Sequence, residues 1–385
     1  MSKFSPLRYR IAVAVFFYTC GAIYASWAAR IPTLKDHFNL SEASLGIVLF
    51  MLPLGSLIAL PFAGWLIAHF GSKKMVVFTS LLYGFILLSL AFWPSIFLLS
   101  AALFVFGFFG DLVNISVNTQ ALLVQEAYAG KPIMSSFHGM WSLGALTGAF
   151  GGGLLMKQGL TLQQHFMAVF IFVVILSVVF LFFLVPKDAP RNETQKIFAW
   201  PDRSLLLLGL ICLCCAVCEG AMADWSSLYY KQVLHNVNGI STTGYTAFAL
   251  LMAMGRMVGD RITSHLGYKG MLLLESIFIV SGLMLAILVQ LPIAVIIGFA
   301  MVGFGVAAII PIVYSLAGKS KTMAPGTALA AVSTLGFTGF LLGPPVIGFL
   351  AEAVTLRWAL LFVVLMGMLI GVLSRRTSSK STAQA

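Results

Sequence analysis

Long apolar runs, separated by short polar stretches, dominate the chain. We distinguish twelve such runs. They cover residues 9–30, 43–67, 75–93, 96–124, 133–156, 164–185, 204–228, 241–262, 270–290, 292–317, 325–351 and 355–374. Their lengths are close to the about 20 residues with which an α-helix crosses a bilayer, and a helix satisfies its own backbone hydrogen bonds in lipid. The pattern predicts an all-α membrane protein with twelve transmembrane helices.

The second half of the chain repeats features of the first half at a nearly constant offset. Ala68–Lys73 returns as Ser264–Lys269, and Gly144 returns as Gly339. A doubled, mostly apolar chain is typical of secondary transporters that are built from two related helix bundles. The domains that we predict are an N-terminal six-helix bundle (1–186), a cytoplasmic linker (187–203), a pseudo-symmetric C-terminal six-helix bundle (204–374) and a cytoplasmic tail (375–385).

Composition and charge agree with a membrane protein. Hydrophobic residues make up 60% of the chain and charged residues 9%, whereas about 25% of a soluble domain is charged. The net charge of +11 is concentrated in the loops of one side and near both termini, which the positive-inside rule places in the cytoplasm. The basic loops therefore indicate topology and not a nucleic-acid partner. We expect a monomer in the lipid bilayer of the bacterial cytoplasmic membrane.

Polar side chains stand in register within the fourth apolar run. Asp111, Asn114 and Asn118 are spaced i, i+3 and i+7, so they share one face of a helix. Single asparagines often join neighbouring membrane helices, but an ionisable side chain inside a membrane more often marks a functional path. The spacing favours a water-filled cavity, with Asn114 and Asn118 as substrate ligands and Asp111 as a proton site. The corresponding stretch 303–311 is apolar, so we expect polar recognition mainly in the N-terminal bundle.

Four further side chains within the runs are candidates. Glu219 is either a second proton-coupling site or the structural partner of a cation or an amide. His138 is either a core histidine or a group that relays protons and binds a solute hydroxyl. Trp141 shares the face of His138, and its ring suits stacking on the apolar face of a solute. We add Tyr24 of the first run as another substrate-binding candidate.

Local motifs resemble the Major Facilitator Superfamily. Gly64–Lys74 is similar to the loop motif that this superfamily carries between its second and third helices, although Ala68 and His69 replace the usual Asp and Arg. Four other stretches resemble a smaller group within this superfamily, the bacterial YbjJ-like transporters, which are more distantly similar to the fucose permease group. The stretches are Ser26–Pro32, Phe137–Gly144, Glu219–Trp225 and Gly343–Gly348. The resemblance implies a fold of twelve helices and transport by alternating access.

The resemblance also suggests pairs among the remaining charges. The outer ends of the first and seventh helices approach each other in the superfamily when the outer gate closes. We therefore expect a gating ion pair between Arg30 and Asp224. Arg256 and Asp260 are spaced for a local helix pair, and Glu275 is expected to bind a nearby basic side chain.

These features favour a secondary transporter for a small polar solute, such as a sugar or sugar derivative, with protons as the coupling ion. The alternatives are a proton-coupled exporter of drugs or metabolites and a non-transporting membrane receptor. We do not expect an enzyme, because HExxH, Gly-x-Ser-x-Gly and nucleotide-binding motifs are absent from the sequence. No cofactor or metal is expected, since the cysteines crowded in 212–218 suit apolar packing better than a metal cluster.

Overall fold

The computed structural model describes residues 6–128, 133–186, 203–233, 241–320, 323 and 325–376. Twelve α-helices occur within these residues, and no strand does. They are α1 (Pro6–His37), α2 (Glu42–Phe70), α3 (Ser72–Ser89), α4 (Ile96–Ala127), α5 (Met134–Lys157), α6 (Leu162–Phe180), α7 (Arg203–Val233), α8 (Thr243–Leu288), α9 (Pro292–Val306), α10 (Ile309–Ala317), α11 (Pro325–Ala353) and α12 (Leu356–Ser374). Ten helical stretches of this part are long and apolar enough to cross a membrane. The predicted all-α membrane fold is confirmed.

Three of the predicted runs differ from the helices that they form. α8 contains runs 241–262 and 270–290 as two helical parts, which are separated by a kink at the non-helical residue Gly267. Run 292–317 is divided instead, because α9 ends at Val306 and α10 begins at Ile309. The total of twelve therefore counts the two parts of α8 as one helix and the two parts of run 292–317 as α9 and α10. Most of the predicted linker and tail, residues 187–202 and 377–385, lies outside the described residues.

The repeated loop motif has the same backbone conformation in both copies. Gly71 has a φ of 84° and Gly267 has a φ of 69°, a region that side chains with a Cβ atom rarely adopt. Each glycine lets the chain turn between two helices without a long loop. Of the replaced motif residues, His69 stacks its ring on Trp65 with centroids 5.6 Å apart.

The chain divides into two compact units. The first contains α1, α3 to α6 and α2 from Ile47 onward, and the second contains α7, α9 to α12, α8 from Gly244 onward and the short stretch Ser41–Gly46. In the first unit α1 contacts α3, α4, α5 and α6, and in the second unit α7 contacts α9, α10, α11 and α12. Each unit is thus organised around its first long helix.

Glycines permit the closest helix contact in the first unit. A Cβ atom at Gly144 of α5 would overlap the carbonyl oxygen of Tyr18 in α1, and one at Gly148 would lie 2.7 Å from the carbonyl oxygen of Ala22. Small residues bring helix backbones together in this way because lipid supplies no hydrophobic force between helices. We call this contact the α1–α5 seam.

The second unit has a matching contact between α7 and α11. A Cβ atom at Gly339 would overlap the carbonyl oxygen of Leu213, and one at Gly336 would overlap the sulfur of Cys212. The other cysteines of α7 are also buried, and the Cys215 and Cys218 thiols lie 3.9 Å and 3.8 Å from the carbonyl oxygens of Val306 and Val363. These cysteines serve as small packing groups at helix contacts.

Candidate functional site

The polar residues of α4 form a hydrogen-bonded ladder along one face. The side-chain amide of Asn118 donates to Oδ1 of Asn114 over 3.0 Å and to the Asn114 carbonyl oxygen over 2.8 Å. The Asn114 side chain in turn hydrogen-bonds the carboxyl group of Asp111. The other carboxyl oxygen, Oδ2, is buried and has no hydrogen-bond partner among the described residues. The structure therefore brings together three of the predicted site residues, and we call them the α4 ladder.

α2 packs closely on α4 beside the start of the ladder. Gly107, one turn before Asp111, contacts the backbone of Leu52, and its carbonyl oxygen accepts a hydrogen bond from Ser56 over 3.0 Å. Further along α4, Asn114 is exposed. The exposed amide and the buried carboxyl oxygen give this face one end that is open to a ligand and one end that is shielded.

The aromatic candidates lie along the α1–α5 seam. The rings of Tyr24 and Trp141 have centroids 6.2 Å apart at 34°. His138, one turn before Trp141, meets the ring of Phe17 edge-on at 5.4 Å, and Phe17 also stacks on Phe137 at 5.5 Å. His138 is exposed, whereas Tyr24 and Trp141 are half-buried. These side chains present imidazole and aromatic faces within the same unit as the α4 ladder.

In the second unit, Glu219 of α7 faces a cation. Nη2 of Arg256 in α8 lies 3.6 Å from Oε1 of Glu219, and the two side chains are 20% and 16% exposed. The predicted partner of Arg256 was Asp260, whose side chain lies outside the described residues. Of the two interpretations of Glu219, the geometry supports the structural partner of a cation in this conformation.

This ion pair gives a prediction about stability. Arg256→Met should lower the stability of the protein by about 3 kcal/mol, because it leaves the largely buried Glu219 carboxylate without its cation. The double variant Arg256→Met with Glu219→Gln should recover most of that loss, since no buried charge is then unpaired. Thermal unfolding in detergent measures both effects.

The matched control for this pair is Arg261→Met, an exposed arginine on the same helix, which should change stability little. A double variant that is no more stable than Arg256→Met alone would show that the carboxylate does not depend on this cation.

Two further polar residues of the second unit were not predicted. Ser333 of α11 donates a hydrogen bond to the hydroxyl oxygen of Tyr314 in α10 over 2.9 Å. Tyr314 is also close enough to Glu219 for an electrostatic interaction. The second unit therefore has its own polar cluster, Glu219, Arg256, Tyr314 and Ser333. The tyrosine follows the apolar stretch 303–311, and its single hydroxyl group in a long apolar run is a weak sequence signal.

Arg30 is held by residues of α6 and the turn before it. Its Nε donates to Nδ1 of His165 over 3.0 Å, and its Nη2 donates to the carbonyl oxygen of Leu160 over 3.0 Å. Both side chains are buried. A capping box formed by Thr161 and Gln164 starts α6 at this point and fixes the turn. The gating pair of Arg30 with Asp224 would join the two units and stays a prediction.

Gln120 of α4, which was not predicted as a site residue, forms hydrogen bonds to the start of α3 and to the segment after α6. It donates to Oγ of Ser72 over 2.6 Å and to the carbonyl oxygen of Val185 over 3.0 Å, and it accepts from the Val185 N–H over 2.8 Å. Gln120 is fully buried. These contacts connect the start of α3 with the segment that follows α6, beside the loop motif in which Ala68 and His69 replace charged residues.

Comparison with known proteins agrees with this architecture. The family model described as Major Facilitator Superfamily matches residues 11–324. An uncharacterized MFS-type transporter of Yersinia pestis is 32% identical over 354 residues, covering 91% of each chain. The membrane protein MosC of Rhizobium meliloti is 32% identical over 368 residues, which cover 94% of this chain and 88% of MosC.

Solved structures show the same fold at low sequence identity. A point mutant of the nucleoside transporter NupG superposes with a TM-score of 0.76 at 12% identity, covering 95% of this chain and 99% of that protein. A bacterial homolog of the human lysosomal transporter Spinster, inward-facing and unoccupied, has a TM-score of 0.74 at 13% identity, with 97% and 98% covered. The fold is that of a multi-pass membrane transporter. The chain belongs to the Major Facilitator Superfamily.

Proposed function

We propose that this transporter moves a small hydroxylated solute, a sugar or sugar derivative, across the bacterial cytoplasmic membrane by alternating access coupled to protons. The observation that carries the proposal is the α4 ladder. Three polar side chains in register within a membrane helix are unfavourable against lipid, and a buried carboxyl oxygen without a partner is unfavourable in any apolar surrounding. Both are explained if the ladder faces a solvated path in which solute and protons supply the missing partners.

The chemistry of the first unit suits a hydroxylated ring. The amides of Asn114 and Asn118 offer both donors and acceptors, which match hydroxyl groups. Tyr24 and Trp141 offer aromatic surface for the apolar face of such a ring, and His138 offers a further donor or acceptor. The narrower similarity to YbjJ-like transporters and the fucose permease group, carried by the motifs above, stays a prediction within this proposal.

Coupling requires a group that binds a proton on one side of the membrane and releases it on the other. We assign this role first to Asp111, because its Oδ2 is free to carry the proton while Asn114 holds the carboxyl group in place. Glu219 takes a proton in this scheme only when its pair with Arg256 opens, since the protonated carboxyl no longer balances the cation.

The experiment starts with the purified protein and a thermal-shift screen against neutral sugars, sugar acids, amines and hydrophobic drugs. A hit is then tested in liposomes that contain a pH-sensitive dye. We expect stabilisation by a hydroxylated solute and solute-dependent proton uptake. Solute flux without any proton movement would refute the coupling, and stabilisation by hydrophobic drugs alone would favour an exporter.

A further inference from the structure

The tenth apolar run, 292–317, is broken between α9 and α10, and a carboxyl group of a neighbouring helix binds the backbone at this break. The Ala307 N–H donates to the Phe304 carbonyl oxygen over 3.2 Å, which closes α9 with a tight turn. The next amide, the N–H of Ala308, donates instead to Oε1 of Glu275 in α8 over 2.6 Å. The expectation that Glu275 binds a basic side chain is wrong. Its partner is a backbone amide that the break between α9 and α10 has freed.

Glu275 is enclosed on every side. The residue is 0% exposed, and its second carboxyl oxygen, Oε2, has no hydrogen-bond partner in the described part of the chain. Gly305 of α9 packs on its backbone, and the next residue, Ser276, donates to the carbonyl oxygen of Gly367 in α12 over 2.8 Å. A buried carboxyl group with an unused oxygen thus sits at a helix discontinuity.

The charges around this carboxyl group are few. α9 and α10 contain no charged residue, and the one charged residue of α12, Arg357, binds the carbonyl oxygen of Ile287 near the other end of this part of α8. From α7, the titratable group that faces Glu275 is the thiol of Cys215, which lies 3.9 Å from the carbonyl oxygen of Val306. Within the described residues, no lysine or arginine forms an ion pair with Glu275.

We propose that Glu275 is a further proton-binding site of the transporter, distinct from Asp111 and Glu219 and located at the break between α9 and α10. An ionised carboxylate in an apolar interior needs a cation or several donors, and this site offers Oε1 a single amide and Oε2 none. A proton on Oε2 removes the charge, so the protonated form fits the observed geometry. The proton comes from water and returns to water, and no other covalent bond changes.

The position of the site links this proton to movement of the helix. α10 is short, and it carries Tyr314, which Ser333 of α11 holds by a hydrogen bond. Because the hydrogen-bond ladder is interrupted before α10, this segment can tilt at the break more easily than a continuous helix can. Secondary transporters of several folds place ion sites at such discontinuous helices. Ionisation of Glu275 would require water or new donors, and tilting of α10 would admit them.

The direct test is infrared spectroscopy of the wild-type protein, which detects a protonated carboxyl group without any solute. We expect a protonated-carboxyl band at neutral pH that weakens at alkaline pH and is missing from Glu275→Gln. The glutamine keeps an oxygen for the Ala308 N–H and cannot release a proton. Identical carboxyl bands in the wild type and the variant at every pH would overturn the assignment. This measurement depends neither on the solute nor on the proposed coupling.

The role of the site in transport rests on the proposed function and needs a separate experiment in liposomes. With an imposed pH difference of about one unit, each coupled proton supports about tenfold accumulation of solute. We expect Glu275→Gln to lower accumulation about tenfold and to move fewer protons per solute. The control is Ser276→Ala, the neighbouring buried side chain, which should accumulate solute like the wild type.

The outcomes of the two proposals are distinguishable. A wild-type protein that moves solute without protons would refute the proposed coupling and leave the infrared result standing. A wild-type protein that is coupled, together with a Glu275→Gln variant of unchanged accumulation and proton stoichiometry, would overturn the transport role of Glu275 alone. If Glu275→Gln does not fold, the band is recorded in the double variant Asp111→Asn with Glu219→Gln, which lacks the other two proposed proton carriers. Absence of a titrating carboxyl band there would overturn the assignment to Glu275.

Discussion

Asp111→Asn should lower accumulation of the solute against its gradient about 50-fold while downhill flux continues. A membrane potential of about 100 mV supplies about 2.3 kcal/mol for each proton, which corresponds to about 50-fold accumulation. Asparagine has the shape of aspartate and can keep the hydrogen bond to Asn114, but it cannot bind and release a proton at Oδ2. The measurement is the steady-state ratio of internal to external solute in energised liposomes.

The control for this prediction is Asp36→Asn, the same chemical change at an exposed position near the end of α1. This variant should accumulate solute like the wild type. Downhill flux of Asp111→Asn shows that the variant folds and binds the solute. An Asp111→Asn protein that accumulates solute like the wild type would show that Asp111 does not carry a coupling proton.

The helices were predictable from the sequence because an apolar run has a local signature. Hydropathy also predicted the interruption at Gly267, which lies between runs 241–262 and 270–290, but not the break at Ala307 and Ala308 within run 292–317. A sequence signal for this break was present, because Pro311 has no N–H for the Ala307 carbonyl oxygen one turn earlier. The acceptor of the Ala308 N–H, the Glu275 carboxyl group, lies on another helix and was not predictable from the run.

In the candidate site, contacts within one helix were predictable and contacts between helices were not. The α4 ladder could be predicted, because i, i+3 and i+7 spacing fixes a shared face within one helix. The pairs of Arg30 with His165 and of Glu219 with Arg256 join different helices, so packing decides them. One signal was available for the second pair. A base and an acid that both lie within apolar runs each need a partner inside the bundle, whereas the prediction paired Arg256 with Asp260 on its own helix.

Gly144→Ala should destabilise the protein by about 3 kcal/mol, although alanine normally stabilises a helix relative to glycine by about 1 kcal/mol. The added Cβ atom would overlap the Tyr18 carbonyl oxygen, which belongs to the backbone of α1 and cannot rotate away. The two central helices of the first unit would therefore have to separate along the α1–α5 seam. Thermal unfolding in detergent measures the change.

The same helix provides the control, because a Cβ atom at Gly151 meets nothing within 4 Å. Gly151→Ala should leave stability unchanged or raise it by up to about 1 kcal/mol. The second unit repeats the contrast. Gly339→Ala should be destabilising, since its Cβ atom would overlap the Leu213 carbonyl oxygen, whereas one at Gly343 would lie 4.0 Å from the nearest atom, Cα of Val217. Equal stability of Gly144→Ala and Gly151→Ala would show that close backbone contact between α1 and α5 does not hold the first unit together.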